Sequence, residues 1–320
     1  MLNVARNHSS HAARVFLLTI GVVLVLALAA CNKKEQPAPA PAAPQAFASP
    51  DAAGKALVEA AKSQNQDTIL AIFGPGSKDL MYSGDAVEDK VSFEGFVQDY
   101  NTMNRWRKLP DGSETLLVGA DNQAFPIPLK KNASGQWYFD TAAGKEEILA
   151  RRIGRDEIAA IDVCAALADA QVEYFAQKHD GVKQYAQKFI SDPGKQNGLY
   201  WESAEGQPRS PVGPLVAFAT EEGYSIKAGA HQAFHGYYFH RLDKQGPDAK
   251  GGAKDYIVNG KMTGGFAYVA YPAIYNDTGV MTFIIDQDRV VYQKDLGKDT
   301  VDLAKAMTEF NPDKSWTALQ

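Results

Sequence analysis

The stretch VMTFIIDQDRVVYQK, residues 280–294, decides the fold class of the C-terminal half of this chain. It joins two runs rich in β-branched and aromatic residues, Val280 to Asp286 and Val290 to Lys294, through a short polar link. Asp is common in tight turns, so the link predicts a hairpin turn and the two runs predict antiparallel strands.

The surrounding sequence extends this pattern into a sheet. Glycine, tyrosine and β-branched residues dominate it, and strands are predicted over Phe234 to Leu242, Tyr256 to Asn259 and Phe266 to Tyr271. A closing helix is predicted over Val301 to Met307. The C-terminal half is therefore expected to contain an antiparallel sheet.

A long helix is predicted before the sheet, because residues 142–179 contain no proline. Apolar residues recur there at steps of three and four, which makes one apolar stripe: Ile158, Ile161, Ala165, Ala168, Val172 and Phe175. Gly154 lies among arginines and predicts a break or kink, with a domain junction close to it. The second domain is accordingly predicted over residues 151–320, as a long helix plus an antiparallel sheet.

The region of residues 49–150 predicts a smaller α+β domain. Ser49, Pro50 and Asp51 are the residue types preferred at a helix N-terminus. The further elements are helices over Asp67 to Phe73 and Phe93 to Met103, then strands over Thr115 to Val118, Ile127 to Lys130 and Gln136 to Asp140. This order of helices and a strand meander resembles the cystatin-like and NTF2-like folds in pattern.

The N-terminus is built like an export signal. Arg6 and Arg14 precede an apolar run from Val15 to Ala30, which is short for a membrane-spanning helix and typical of a signal peptide. The run ends in Leu28-Ala29-Ala30-Cys31, which resembles the lipobox of bacterial lipoproteins. The resemblance implies a signal peptide over residues 1–31, with the thiol of Cys31 acylated by palmitate-type chains; an uncleaved membrane anchor is the alternative.

The residues after Cys31 predict where the folded part is held. The resemblance to bacterial lipoproteins implies, from Asn32 after the cysteine, sorting to the outer membrane as in proteobacterial lipoproteins, with the protein facing the periplasm. Residues 32–48 are rich in proline and alanine and predict an extended tether. The membrane is therefore an expected partner, through the N-terminal lipid.

Charge and cysteine content exclude some classes of function. The formal net charge is −5, and no basic cluster suits nucleic acid, so nucleic acid is not an expected partner. The chain has two cysteines, and acylation of Cys31 leaves Cys164 without a disulfide partner. Cys164 lies in an apolar helical stretch, so we predict a small buried hydrophobic side chain there.

Five motifs identify a family resemblance. They are PGKQNGLYW (193–201), GYYFHRL (236–242), GGFAYVAYPA (264–273), GVMTFIIDQDRVVYQKDLG (279–297) and FNPDKSW (310–316). Together they resemble a bacterial family known as domain of unknown function 2950. The resemblance implies a secreted or lipid-anchored protein without an established activity, and it carries over no catalytic residues.

A second likeness covers residues 158–288. A helix containing AALADAQVEYFAQ leads into a sheet rich in glycine and tyrosine, in the order seen in the globular heads of type IV pilins and type II secretion pseudopilins. This likeness implies a pilin-head-like fold for the C-terminal domain. It does not imply a filament, because this chain has a lipobox and another domain where pilins carry a bare apolar helix.

No catalytic or metal site is predicted. His231, His235 and His240 share a short stretch, but strand alternation places His240 opposite His235. The acids of Glu221-Glu222 and of Asp286 with Asp288 fit strand and turn positions, and the serine-nucleophile and zinc-protease motifs are absent from the sequence. No cofactor is expected.

The candidate binding residues are aromatic. Trp201, Tyr237, Tyr238, Tyr268 and Tyr271 concentrate in the C-terminal domain, and tyrosine and tryptophan are enriched at binding surfaces. A sheet core with tyrosines at its rim is the alternative explanation of this cluster.

We expect a non-enzymatic binding or assembly module in the cell envelope, with a protein or glycan partner. A hydrolase that acts on peptidoglycan or an exported polymer through carboxylates is the alternative.

Overall fold

The computed structural model describes residues 43–204, 206–207, 209–222, 224 and 232–319, without the side chains of Phe218 and Glu221. Cys31, most of the predicted tether and His231 lie outside the described residues. In the part of the chain that is described, no helix is long and apolar enough to cross a membrane.

Four helices open the fold. They are α1 (Pro50–Ser63), α2 (Gln66–Phe73), α3 (Lys78–Met81) and α4 (Ala86–Thr102). The Ser49 side chain accepts a hydrogen bond from the Ala52 N–H at 3.2 Å, as the sequence predicts for an N-cap. The Asp85 carboxylate caps α4, accepting from the Val87 and Glu88 N–H groups at 3.1 and 3.2 Å.

A small antiparallel sheet packs with these helices. Its strands are β1 (Asn104–Lys108), β2 (Glu114–Val118), β3 (Gln123–Ala124), β4 (Leu129–Lys131) and β5 (Trp137–Phe139), in the order β1-β2-β4-β5 with β3 beside β2. We call the buried cluster that joins helices and sheet the N-terminal core; it includes Phe47, Leu57, Ile69, Phe73, Leu116, Ile127 and Phe139. The rings of Phe73 and Phe139 lie 5.4 Å apart within it.

Helix α5 (Thr141–Ala176) runs without interruption through Gly154, so the predicted break is wrong. A single glycine costs a helix about 1 kcal/mol relative to alanine, which packing at both ends of α5 outweighs. Near its start, Gly144 lies against Ile127 of the N-terminal core. Toward its end, Cys164 and Leu167 are fully buried in a second cluster, which confirms the prediction for Cys164.

The second buried cluster, here called the C-terminal core, includes Cys164, Leu167, Tyr237, Phe266, Phe283 and Ile284. A five-stranded antiparallel sheet covers it, with the strands β8 (Tyr237–Leu242), β13 (Ala267–Pro272), β14 (Met281–Asp286), β15 (Val291–Asp295) and β17 (Thr317–Ala318). The strands follow one another in the sheet in the order β17-β15-β14-β13-β8. Helices α5 and α7 (Thr300–Lys305) pack on β13. The predicted turn is confirmed: the Asp286 carboxylate accepts from the Asp288 N–H at 3.0 Å, and β14 pairs with β15.

Short elements complete the fold. They are β6 (Lys178–His179), β7 (Val182–Lys183), α6 (Gly213–Glu222), β9 (Lys244–Gln245), β10 (Lys254–Asp255), β11 (Ile257–Val258), β12 (Lys261–Met262) and β16 (Glu309–Phe310). The fold class is α+β, as predicted. The two-domain division at residue 150 and the likenesses to cystatin-like, NTF2-like and pilin-head folds stay predictions.

Candidate functional site

A cavity of about 390 Å³ lies beside the N-terminal core, between its helices and its sheet. Its floor is apolar and buried, formed by core residues such as Leu57, Ile69, Phe73 and Ile127, each at most 4 % exposed. Cavities that hold small ligands have this size range and this predominantly apolar lining.

One face of α4 forms a wall of the cavity. Asp89, Phe93, Phe96 and Asp99 follow one another at steps of three and four, which places them on one side of the helix, with Ser92 next to Phe93. The rings of Phe93 and Phe96 are half-buried, and the Phe96 ring lies 5.4 Å from that of Phe125 on the opposite wall. Aromatic side chains therefore stand on two sides of the opening.

The α4 wall also carries two carboxylates. The Asp89 carboxylate accepts hydrogen bonds from the N–H and the hydroxyl of Ser83, both at 2.9 Å. Burial raises the pKa of Asp89 in spite of these two bonds. Asp99 is half-buried, and its carboxylate forms no hydrogen bond or ion pair with any described residue.

Three arginines of α5 form the opposite rim, and each has an acidic partner. Arg151 lies 2.7 Å from Glu147 and donates to the Ala124 carbonyl at 2.8 Å. Arg152 pairs with Asp277 and donates to the carbonyls of residues 79 and 80 at 3.2 and 2.6 Å. Arg155 lies 2.9 Å from Glu88 and 3.2 Å from Asp156.

Behind Arg155 lies a buried ionic cluster centred on His235. Its Nδ1 is 3.1 Å from Glu88 Oε2, and its Nε2 is 3.1 Å from Glu222 Oε2. Burial lowers the pKa of His235, but the hydrogen bond to Glu88 and the charge of Glu222 outweigh it, so the net shift is upward. Burial by itself raises the pKa of Glu88, but the hydrogen bond from His235 and the charge of Arg155 outweigh it, so the pKa of Glu88 is lowered. Both shifts favour a protonated histidine beside an ionised Glu88.

Asp156 completes the cluster on the side of α5. It is 1 % exposed, and burial raises its pKa to about 7, against the lowering effect of Arg155. Gly236 has φ 71°, and a Cβ added there would lie 2.7 Å from Asp156 Oδ2. A glycine is thus required at this position both for its backbone conformation and for the approach of the carboxylate.

Comparison with known proteins gives one finding. The family model described as Protein of unknown function (DUF2950) matches residues 44–319, which is most of the chain. The chain belongs to the DUF2950 family. No curated protein and no solved structure matches this DUF2950 chain. The resemblance expected from the five sequence motifs is therefore confirmed.

Three of the predicted binding tyrosines lie inside the C-terminal core of the DUF2950 protein. Tyr237, Tyr268 and Tyr271 are 0, 2 and 7 % exposed. The Tyr237 hydroxyl donates to the Met281 carbonyl at 2.9 Å, and Tyr268 contacts Gln171. These three side chains pack the sheet against the rest of the fold.

The remaining two predicted residues, Tyr238 and Trp201, are half-buried and pack against the same core. The rings of Tyr238 and Tyr271 lie 5.7 Å apart. A binding role for this group of residues stays a prediction.

Of the other sequence candidates, His235 and Glu222 meet in the ionic cluster, whereas His240 and Asp286 lie elsewhere. His240 Nε2 lies 2.9 Å from the Met307 carbonyl, whereas His235 belongs to the ionic cluster, so the two do not converge. Asp286 is 3 % exposed in its hairpin turn, and burial raises its pKa to about 6.

Sequence reasoning missed both the cavity and the ionic cluster. The spacing of Phe93 and Phe96 indicates a helix face, but it does not show that the face lines a space. The arginines near Gly154 indicated only a junction. Glu88 and His235 are 147 residues apart, so local sequence carries no signal of their contact.

Proposed function

We propose that this DUF2950 protein is a lipid-anchored cell-envelope protein that acts as a non-enzymatic binding module. Its cavity in the N-terminal region holds a small ligand with an apolar body. The observation that carries the proposal is the cavity of about 390 Å³ with an apolar floor and half-buried phenylalanines at its opening. A ligand that covers such surface gains about 25 cal/mol for each Å² of apolar area removed from water.

Gly95 offers a way to block the cavity without disturbing the fold. It lies on α4 in the cavity lining, and a Cβ added there would meet no atom within 4 Å. A leucine at this position fills space at the opening, and leucine is a better helix former than glycine. Gly154→Leu is the matched control, since an added Cβ at Gly154 also meets nothing and Gly154 does not line the cavity.

The test is titration of the purified protein with Nile red, a neutral apolar dye whose fluorescence rises in apolar surroundings. We expect saturable binding to the unmodified protein and to Gly154→Leu. Binding to Gly95→Leu should fall at least fivefold, with an unchanged or higher melting temperature. Equal binding by the two variants would contradict the cavity as the site.

The anchoring part of the proposal rests on Leu28-Ala29-Ala30-Cys31 and the proline- and alanine-rich segment after it. A thioether-linked diacylglycerol on one cysteine buries two acyl chains, enough for stable attachment. We expect the native protein to begin at acylated Cys31 and Cys31→Ser to leave the membrane fraction. An intact mass that retains the first thirty residues without a lipid would contradict this.

The hydrolase alternative is less well supported by the cavity. Asp89 in the cavity wall has a raised pKa, as an acid catalyst needs, and Asp99 is the other carboxylate on that wall. Ten residues apart on one helix, however, they are separated by about 15 Å along its axis. Paired carboxylates in glycoside hydrolases lie about 5 to 9.5 Å apart, so these two do not form such a pair.

A further inference from the structure

The charges around the cavity point to the class of ligand, an inference that rests on the proposed function. We infer that the cavity takes a cationic amphiphile, namely a primary amine or quaternary ammonium group on an apolar body. The apolar body would lie on the floor of the cavity. The cationic group would lie at the α4 wall, beside Asp99, about 15 Å along the helix from Asp89.

The arginines of the rim are already paired with acids. Each is engaged by an acid that does not line the cavity: Arg151 by Glu147, Arg152 by Asp277, and Arg155 by Glu88 and Asp156. Asp89 and Asp99 form no ion pair with any described residue. Arg152 is nevertheless close enough to Asp89 to lower its pKa, so the carboxylate left over at the cavity is that of Asp99.

The two carboxylates differ in their surroundings. Asp89 is held in place by Ser83, and burial makes its ionised form costly, as its raised pKa reflects. Asp99 is half-buried, and its carboxylate has no hydrogen-bond or ion-pair partner among the described residues. A cation bound beside Asp99 would supply that partner, whereas an anion there would meet like-charge repulsion.

Aromatic rings line the opening of the cavity. Phe93 and Phe96 share the α4 face with the two carboxylates, and Phe125 stands opposite. The faces of aromatic rings attract ammonium groups, and more strongly when the ammonium group is desolvated. Carboxylates and aromatic rings on one wall are a combination that suits an organic cation.

The experiment compares three ligands that share one tail and differ in charge: octylammonium, octan-1-ol and octanoate, each in competition with Nile red. We expect octylammonium to bind roughly tenfold more tightly than octan-1-ol, and octanoate to bind more weakly than the alcohol. High salt should reduce the preference for the cation, because exposed charges are screened.

Variants then locate the charge. Asp99→Asn, alone and with Asp89→Asn, should bring octylammonium to the affinity of octan-1-ol while Nile red binding persists. Asp162→Asn is the matched control, since Asp162 is exposed on α5 and does not line the cavity. It should keep the full preference.

The outcomes separate the two levels of the proposal. If the three octyl compounds bind equally, or octanoate binds best, the cationic class is wrong while the apolar cavity stands. If the preference survives in Asp99→Asn, the charge lies elsewhere and the assignment to Asp99 is wrong. If neither Nile red nor any octyl compound binds, the proposed function itself fails.

Discussion

At the scale of single residues, Gln171 joins three parts of the C-terminal core. It is fully buried on α5 and donates to the Ala186 carbonyl at 2.9 Å and to the Tyr268 hydroxyl at 2.6 Å. Its side-chain oxygen accepts from the Ala186 N–H at 2.8 Å. A buried amide is tolerated in this core because its hydrogen-bonding groups have partners.

We expect Gln171→Leu to lower the free energy of unfolding by about 3 kcal/mol. The leucine fits an apolar core, but it leaves the N–H and C=O of Ala186 buried without partners, and each such group costs about 1–3 kcal/mol. Urea denaturation measures the change. Gln98→Leu on the exposed face of α4 is the control and should change stability by about 0.5 kcal/mol or less. An equal loss in both variants would contradict the role of the bonds.

At the scale of elements, α5 is the helix that contacts both cores, and its glycines differ in surroundings. At Gly144 an added Cβ would lie 2.7 Å from Ile127 Cγ1 and 2.9 Å from the Pro126 carbonyl oxygen. At Gly154 an added Cβ meets nothing within 4 Å. The first glycine permits close packing on the segment between β3 and β4, whereas the second only weakens the helix.

Alanine at these two positions should therefore have opposite effects. We expect Gly154→Ala to raise the free energy of unfolding by about 0.5–1 kcal/mol, through helix propensity alone. Gly144→Ala should lower it by about 1–2 kcal/mol, because overpacking against the backbone exceeds the same propensity gain. Thermal melts of the two variants test this. A stabilised Gly144→Ala would show that α5 does not pack tightly there.

At the scale of the whole molecule, the ionic cluster makes stability depend on pH. Because folded His235 has a pKa above its ordinary 6.5, its stabilising effect is complete below pH 6.5 and is lost as pH rises through the folded value. Asp156 has a folded pKa of about 7 against 3.8 unfolded, so the folded protein holds a proton that the unfolded chain releases. Both groups make the protein less stable as pH rises from 5 to 8.

We expect the free energy of unfolding to fall between pH 5 and pH 8, and Asp156→Asn to make that decrease smaller. The amide keeps the shape of the carboxyl group and removes the cost of ionising it. In the tested range that cost grows by about 3 kcal/mol, at about 1.4 kcal/mol for each pH unit between 5 and the folded pKa of about 7.

The measurement is urea denaturation across this pH range. Asp162→Asn, on the exposed face of the same helix, should retain the slope of the unmodified protein. An unchanged slope in Asp156→Asn would show that this carboxyl group does not titrate as the geometry implies.

Local pattern predicted most of the elements. Ser49 begins α1 as an N-cap, the residues around Asp286 form a turn, and α5 covers nearly all of the predicted range. The local pattern gave the wrong prediction at Gly154, because the packing of α5 on either side of this glycine overrides its tendency to break a helix. It also missed β1 and α6, whose sequences show no clear period.

What the amino-acid sequence by itself determined is the α+β class, the positions of the main helices and strands, and membership of the DUF2950 family. These depend on periodicity, turns and motifs within short segments. Only the tertiary structure decided that Tyr237 is a core residue, that α4 lines a cavity, and that His235 meets Glu88. Each of these depends on which distant segments pack together, because burial and charge pairing arise between residues that are far apart in the chain.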